Sequence, residues 1–112
     1  MTAAQHKLDN VCAIVDRNRV QLDGTVEEIK DIGDIAAKWH QFGWNVIELD
    51  GHDIEQVMAA YRMAARCKGK PTVLVAHTVK GKGVSFMEND YAWHGQAPNE
   101  QQLEQALKEI RA

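Results

Sequence analysis

The sequence predicts an α/β domain, a parallel sheet with helices on both faces, and an incomplete half of a larger domain of that kind. Three apolar runs rich in β-branched residues alternate with two helical patterns, and each run ends in polar or turn-forming residues. Three strands are few for a doubly wound sheet, so the sheet is expected to be part of a larger one or to be completed by another chain. At 112 residues the chain fits one domain, or part of one.

Met1 to Leu8 is too short for a well-formed helix packing onto the sheet. Val11-Cys12-Ala13-Ile14-Val15, ended by Asp16, reads as a strand covered on both faces. The acidic run Glu27-Glu28-Ile29-Lys30-Asp31 reads as a solvated connection. Between Ile32 and Phe42, Ile32, Ile35, Ala36, Trp39 and Phe42 follow helical spacing, and Gly43 supplies a left-handed stop. Asn45 to Leu49 gives the second strand, closed by the turn Asp50-Gly51. A second helix follows, with Ile54, Val57, Met58, Tyr61, Ala64 and Ala65 on one stripe and Asp53 and Gln56 placed as a capping box. Pro71 opens the third strand, Thr72 to Ala76, because proline at the first position removes no essential ladder donor. Lys80 to Pro98 is a long irregular stretch, and loops of that length are usually functional. The last helix starts at Asn99 as its cap and runs through Leu103, Leu107 and Ile110.

Hydrophobic residues make up 45% and charged residues 26%, ordinary globular usage that argues against disorder. The net charge of -3 offers no broad basic face, so nucleic acid is not an expected partner. No apolar stretch approaches the roughly 20 residues needed to cross a bilayer, and the polar start lacks a signal-peptide core; the expectation is a cytoplasmic protein without a membrane partner. Cys12 and Cys67 form no C-x-x-C motif and are expected as buried thiols rather than a disulfide.

None of the generic catalytic motifs is present: no G-x-G-x-x-G, Walker A, H-E-x-x-H or G-x-S-x-G. What remains is polar residues at strand ends: Asp16-Arg17-Asn18, Asp50-Gly51-His52-Asp53, and His77 to Gly83. Asn18 by itself suits a turn, since its side chain bonds nearby backbone. Lys80-Gly81-Lys82-Gly83 reads equally as a phosphate-cradling nest or as a plain solvated loop. His6 and His40 sit at surface or helix positions, and His52 lies at a helix start. His94 stands in Tyr91-Ala92-Trp93-His94-Gly95, where imidazole could donate to a phosphate or an alkoxide, or pack beside Trp93.

Taken together and in order, Lys7-Leu8-Asp9-Asn10, Ile14-Val15-Asp16-Arg17-Asn18, Gln21-Leu22-Asp23-Gly24, Phe42-Gly43-Trp44, Asp50-Gly51-His52-Asp53, Thr78-Val79-Lys80-Gly81-Lys82-Gly83 and Trp93-His94-Gly95 closely resemble transketolase. The likeness covers the whole chain, 1-112, as the later part of the thiamine diphosphate-binding domain, and is strongest to the amino-terminal subunit of split bacterial transketolases. Deoxyxylulose phosphate synthases share the Thr-Val-Lys-Gly-Lys-Gly stretch. The resemblance implies ketol transfer between sugar phosphates, as in the pentose phosphate pathway, with thiamine diphosphate and Mg²⁺ (or Ca²⁺) as cofactors. It implies that the Asn18 side-chain oxygen and the Val20 carbonyl bind the metal that bridges to the cofactor's diphosphate, hard oxygen ligands suiting such a cation. It assigns His94 to the diphosphate and the sugar, for hydrogen bonding and proton management at reacting hydroxyls. It further implies a complementary transketolase chain or a homodimer.

The family's Gly-Asp-Gly segment, with its metal-binding aspartate, does not occur among the seventeen residues before Asn18. Nor does the sequence carry the glutamate of the family's partner domain. The expectation is that this chain alone is not a competent enzyme. The competing readings are a noncatalytic α/β interaction subunit, since fold alone does not fix function, and a fragment of a deoxyxylulose phosphate synthase-like enzyme.

Overall fold

The run with the most continuous apolar character, Thr72-Val73-Leu74-Val75-Ala76-His77, lies in the middle of the sheet, as a strand buried on both faces should. The computed structural model describes residues 1–112. In chain order the elements are α1 (Thr2–Gln5), β1 (Cys12–Arg17), β2 (Val20–Gln21), β3 (Gly24–Thr25), α2 (Val26–Lys30), α3 (Ile35–Gln41), β4 (Asn45–Asp50), α4 (Ile54–Arg66), β5 (Thr72–His77) and α5 (Glu100–Arg111), with one 3₁₀ turn at Tyr91–Trp93. The trace divides into two units: Met1–Arg17 with Gly33–Thr78, and Asn18–Ile32 with Val79–Ala112.

The first unit holds the parallel sheet, in the order β1-β5-β4. Register pairs Ile14 with Leu74 on one side and Ile47 with Leu74 on the other. On one face Val73 and Val75 pack with Trp44, backed by Ala13 and Val15 of β1, Ile35, Ala36 and Trp39 of α3, and Ala3 and Ala4 of α1. Trp39 meets Trp44 edge-on at 4.7 Å between ring centroids. On the other face Leu49, Leu74 and Ala60 form a second cluster under α4. The sheet is therefore parallel, with helices on both faces.

Several local expectations are corrected. The strand at Cys12–Arg17 is not covered on both faces: Ala13, Val15 and Arg17 are half-buried while Cys12, Ile14 and Asp16 are exposed. Cys12 is accordingly an exposed thiol rather than a buried one. Met1 to Leu8 does contribute a helix, one turn whose two alanines are small enough to sit on the Trp44 cluster. The first helical pattern begins at Ile35, later than the apolar spacing from Ile32 suggests, because Asp34 caps it and accepts from Ala37 N–H at 2.8 Å.

In the second unit the acidic run is not a bare connection. Thr25 and Glu28 form a reciprocal capping box that starts α2 directly after the β2-β3 hairpin. The long loop is tied internally: Trp93 Nε1 donates to Phe86 C=O at 3.0 Å, with the two rings 5.4 Å apart. Ser85 Oγ donates to the Glu109 carboxylate of α5 at 2.8 Å. Asn99 caps α5 as expected, in a full capping box with Gln102.

Candidate functional site

The chain leaves β1 and turns at once. Asn18 is half-buried, Arg19 takes a left-handed conformation (φ 61°), and Val20 N–H donates back to Asn18 Oδ1 at 3.1 Å. This is the local bond that makes asparagine a turn residue. In the hairpin that follows, Val26 N–H bonds Arg19 C=O at 2.9 Å while Val20 stands opposite Thr25. Antiparallel ladders alternate, so Val20 belongs to a pair without mutual hydrogen bonds and its N–H and C=O point away from β3. Both point to one side of the strand, the side on which the N–H meets Asn18 Oδ1.

Two neutral oxygens, the Asn18 amide and the Val20 carbonyl, are thus carried by one tight turn. They are the donor type that Mg²⁺ or Ca²⁺ takes, so the turn fits the cation that the resemblance implies. No group of three or more His, Cys, Asp or Glu side chains is gathered for a metal in the chain. At most two ligands would come from this turn, and the others would have to come from cofactor, water or other polypeptide.

At the carboxyl end of the sheet, the first unit builds a clip that sequence reading missed. The Thr78 hydroxyl donates to the Asp16 carboxylate, and Thr78 N–H reaches Arg17 C=O at 3.4 Å. Gly51 lies against it, its N–H bonded to His77 C=O at 2.8 Å. Next to the clip, His77 Nε2 meets Glu48 Oε2 at 2.9 Å. Asp50 Oδ1 accepts His52 N–H at 2.9 Å, and Asp53 caps α4 through Glu55 and Gln56 N–H. Asp53 is the cap that the spacing suggests, but the expected capping box is not formed, because Gln56 Oε1 accepts Asp50 N–H at 3.0 Å. Asp16 and Thr78 are 62 residues apart, and only the parallel register of β1 with β5 brings them together.

The Lys80–Gly83 turn uses its amides internally. Lys82 N–H donates to Val79 C=O, Val84 N–H to Gly81 C=O, and Gly83 N–H to the Glu88 carboxylate at 3.0 Å, with Lys82 Nζ 3.9 Å from that carboxylate. Three amides here are thus bonded within the loop, one of them to a carboxylate of the loop itself. His94 ends the 3₁₀ turn, which Asp90 caps, and is exposed; its N–H bonds Tyr91 C=O at 2.9 Å. Asn18 and Val20 are brought together, whereas no hydrogen bond joins His94 to either.

Residues 1–110 match the family described as transketolase, thiamine diphosphate binding domain. The chain is 42% identical over 110 residues to one subunit, designated A, of the apulose-4-phosphate transketolase of Phocaeicola vulgatus, covering 98% of this chain and 39% of that protein. It is 36% identical to the 6-deoxy-6-sulfo-D-fructose transketolase subunit SqwG of a Clostridium species, covering 98% of this chain and 40% of that one. The transketolase structure from Campylobacter jejuni superposes with a TM-score of 0.90 at 27% identity, over 98% of this chain and 17% of that chain. The chain therefore spans about two fifths of the subunit-length relatives it matches.

Proposed function

The chain belongs to the transketolase family, in its thiamine diphosphate-binding domain, and from that membership we propose that it supplies part of the metal and diphosphate side of a transketolase that moves a two-carbon ketol unit between sugar phosphates. The observation that carries the reading is the Asn18-Arg19-Val20 turn, which sets two hard oxygens on one side of the chain. When bound, thiamine diphosphate supplies the electron sink for breaking and making carbon–carbon bonds beside a carbonyl. The residues of this chain bind and orient. Asn18 Oδ1 and Val20 C=O would hold Mg²⁺ (or Ca²⁺), whose charge would offset that of the cofactor's diphosphate. The His94 imidazole would donate a hydrogen bond to a diphosphate oxygen or a sugar hydroxyl, or accept the proton of a reacting hydroxyl when neutral.

The names of the relatives, an apulose phosphate and a sulfofructose transketolase subunit, support a phosphorylated or sulfonated ketose as the donor class. Their being named as subunits supports a complementary chain as partner. Two unpaired thiols suit a reducing, cytoplasmic setting.

The test is a titration of thiamine diphosphate with Mg²⁺, followed by tryptophan fluorescence, with and without a polypeptide carrying the rest of a subunit-length relative. Saturable binding is expected with the complement present, and Asn18→Ala should weaken it at least about tenfold, the order that even an outer-sphere metal partner is worth. No saturable change, or an Asn18→Ala chain that binds as the unaltered one does, would remove the reading in favour of a noncatalytic α/β subunit.

A further inference from the structure

We propose that Glu109 of α5 is a positioning residue for His94: through Ser85 and Phe86 it fixes Trp93, and with Trp93 the backbone that carries the imidazole. The proposal rests on the role given to His94 above and adds a support for it on the last helix, which lies with the loop in the second unit.

His94 stands inside Lys80–Pro98, between β5 and α5, where the one regular element is the 3₁₀ turn Tyr91–Trp93. Its side chain is exposed, so its place is set by the backbone beneath it. A group that is to meet a diphosphate or a sugar hydroxyl has to be held within about 0.5 Å of its working position. A loop without an anchor does not do that.

The loop first closes on itself. Asn89, in a left-handed conformation (φ 58°), returns its N–H to Lys80 C=O at 2.9 Å, Gly83 N–H bonds Glu88, and Val84 is buried beneath them. This closure gives the loop a shape, and Ser85 gives it an anchor. The Ser85 N–H donates to one oxygen of the Glu109 carboxylate and the Ser85 hydroxyl to the other, the latter at 2.8 Å. Gln105, one turn back on α5, donates its Nε2–H to the same carboxylate at 2.9 Å, which holds Glu109 on its own helix. Bonds to an ionised acceptor are the stronger kind. The Ser85 N–H, then Gln105 and the Ser85 hydroxyl, hold the Glu109 carboxyl below the ordinary glutamate value, so it is ionised at neutral pH.

Phe86, the next residue, carries the support onward. Its C=O accepts the Trp93 Nε1–H at 3.0 Å, and its ring meets the indole edge-on at 5.4 Å between centroids. Both the polar and the apolar part of the indole are thereby engaged. His94 adjoins Trp93, and its own N–H closes the 3₁₀ turn on Tyr91 C=O. From Glu109 to His94 every link is a hydrogen bond, a ring contact or a peptide bond. Glu104, on the same helix, is exposed and takes no part in the series.

The experiment follows the three indole N–H signals of the 112-residue chain by nuclear magnetic resonance, together with the imidazole signals of His94. Trp39 and Trp44 lie in the first unit and report whether the chain is folded. Glu109→Ala should speed exchange of the Trp93 indole proton about tenfold, the order of one net hydrogen bond, and should move the His94 signals while leaving Trp39 and Trp44 as they are. Glu109→Gln, which keeps an acceptor for the Ser85 N–H, should restore most of the protection, and Glu104→Ala should match the unaltered chain. If Glu109→Ala also loses the Trp39 and Trp44 signals, Ser85→Ala decides, since it keeps the N–H bond and removes the hydroxyl one: a smaller increase in Trp93 exchange supports the proposal, and none overturns it. Unchanged Trp93 exchange in folded Glu109→Ala, faster exchange with unmoved His94 signals, or a Gln variant as loose as the Ala one would each overturn it. Retention of thiamine diphosphate with Mg²⁺ and the complementary polypeptide separates the two claims. A His94→Ala chain that retains the cofactor as the unaltered one does would remove the role of His94 at the diphosphate and leave the support standing; weakened retention there, with His94 signals unmoved in Glu109→Ala, would do the reverse.

Discussion

A Cβ placed on Gly51 would stand 2.5 Å from Thr78 Cγ2 and 3.2 Å from the His77 carbonyl. The turn after β4 and the end of β5 approach closely because this residue has no side chain, and the same Thr78 bonds Asp16 and Arg17 at the end of β1. Gly51→Ala should therefore cost about 1–3 kcal/mol through overpacking, read by urea denaturation; an unchanged midpoint would mean that the contact relaxes freely. Gly81 is more constrained, with φ at 74° and a hypothetical Cβ 2.4 Å from the Met87 carbonyl oxygen. Little of this is legible in the sequence. Asn18 as a turn residue can be read from one position, but the partners of Asp16 and Glu48 lie 62 and 29 residues away and follow from strand register alone.

Helix caps give the elements their acid sensitivity. Gln56 and Glu55 N–H groups bonded to the Asp53 carboxylate hold its pKa below the ordinary aspartate value, with the Gln56 backbone bond the largest cause. The Thr25 hydroxyl and N–H do the same for Glu28, and the Ser85 N–H does so for Glu109. A carboxylate whose folded pKa is depressed contributes stability that is present above its unfolded pKa and is lost as pH falls through the folded one. Helicity by circular dichroism should hold from neutral pH to the ordinary carboxylate range and decline below it. Asp53→Asn, which keeps a capping oxygen but cannot titrate, should flatten the part of the decline that belongs to α4; an acid profile identical to that of the unaltered chain would contradict the cap as its source. Thr25→Ala should fray α2 at a cost of about 1 kcal/mol. The caps at Asn99 and at Asp53 could be expected from spacing, although the reciprocal box forms only at Asn99, since Gln56 Oε1 accepts Asp50 N–H instead of Asp53 N–H. Thr25 with Glu28 carries the same signature, hidden because the acidic run around it resembles a solvated linker.

Across the whole molecule, the order of the three sheet strands and the longer helices was legible because each apolar run changes period at a turn residue, from Asp50-Gly51 to Lys68-Gly69, whereas the β2-β3 hairpin and the short helices α1 and α2 were not. The exposure of one face of β1 was not, since Val11 to Val15 reads the same whether that face is covered by this chain or by another polypeptide. Leu74→Ala, at the centre of the sheet, should cost about 2.7–5 kcal/mol, whereas Ile14→Ala should change the stability of the chain alone by no more than about 0.5–1 kcal/mol; equal losses would contradict the bare face. The most direct measurement is nuclear magnetic resonance of the Asn18 side-chain amide with Mn²⁺ in place of Mg²⁺, with thiamine diphosphate and the complementary polypeptide bound. The expected result is selective paramagnetic broadening of the Asn18 side-chain and Val20 backbone signals. Sharp Asn18 signals in a complex that retains its cofactor and ion would mean that this turn does not hold the metal.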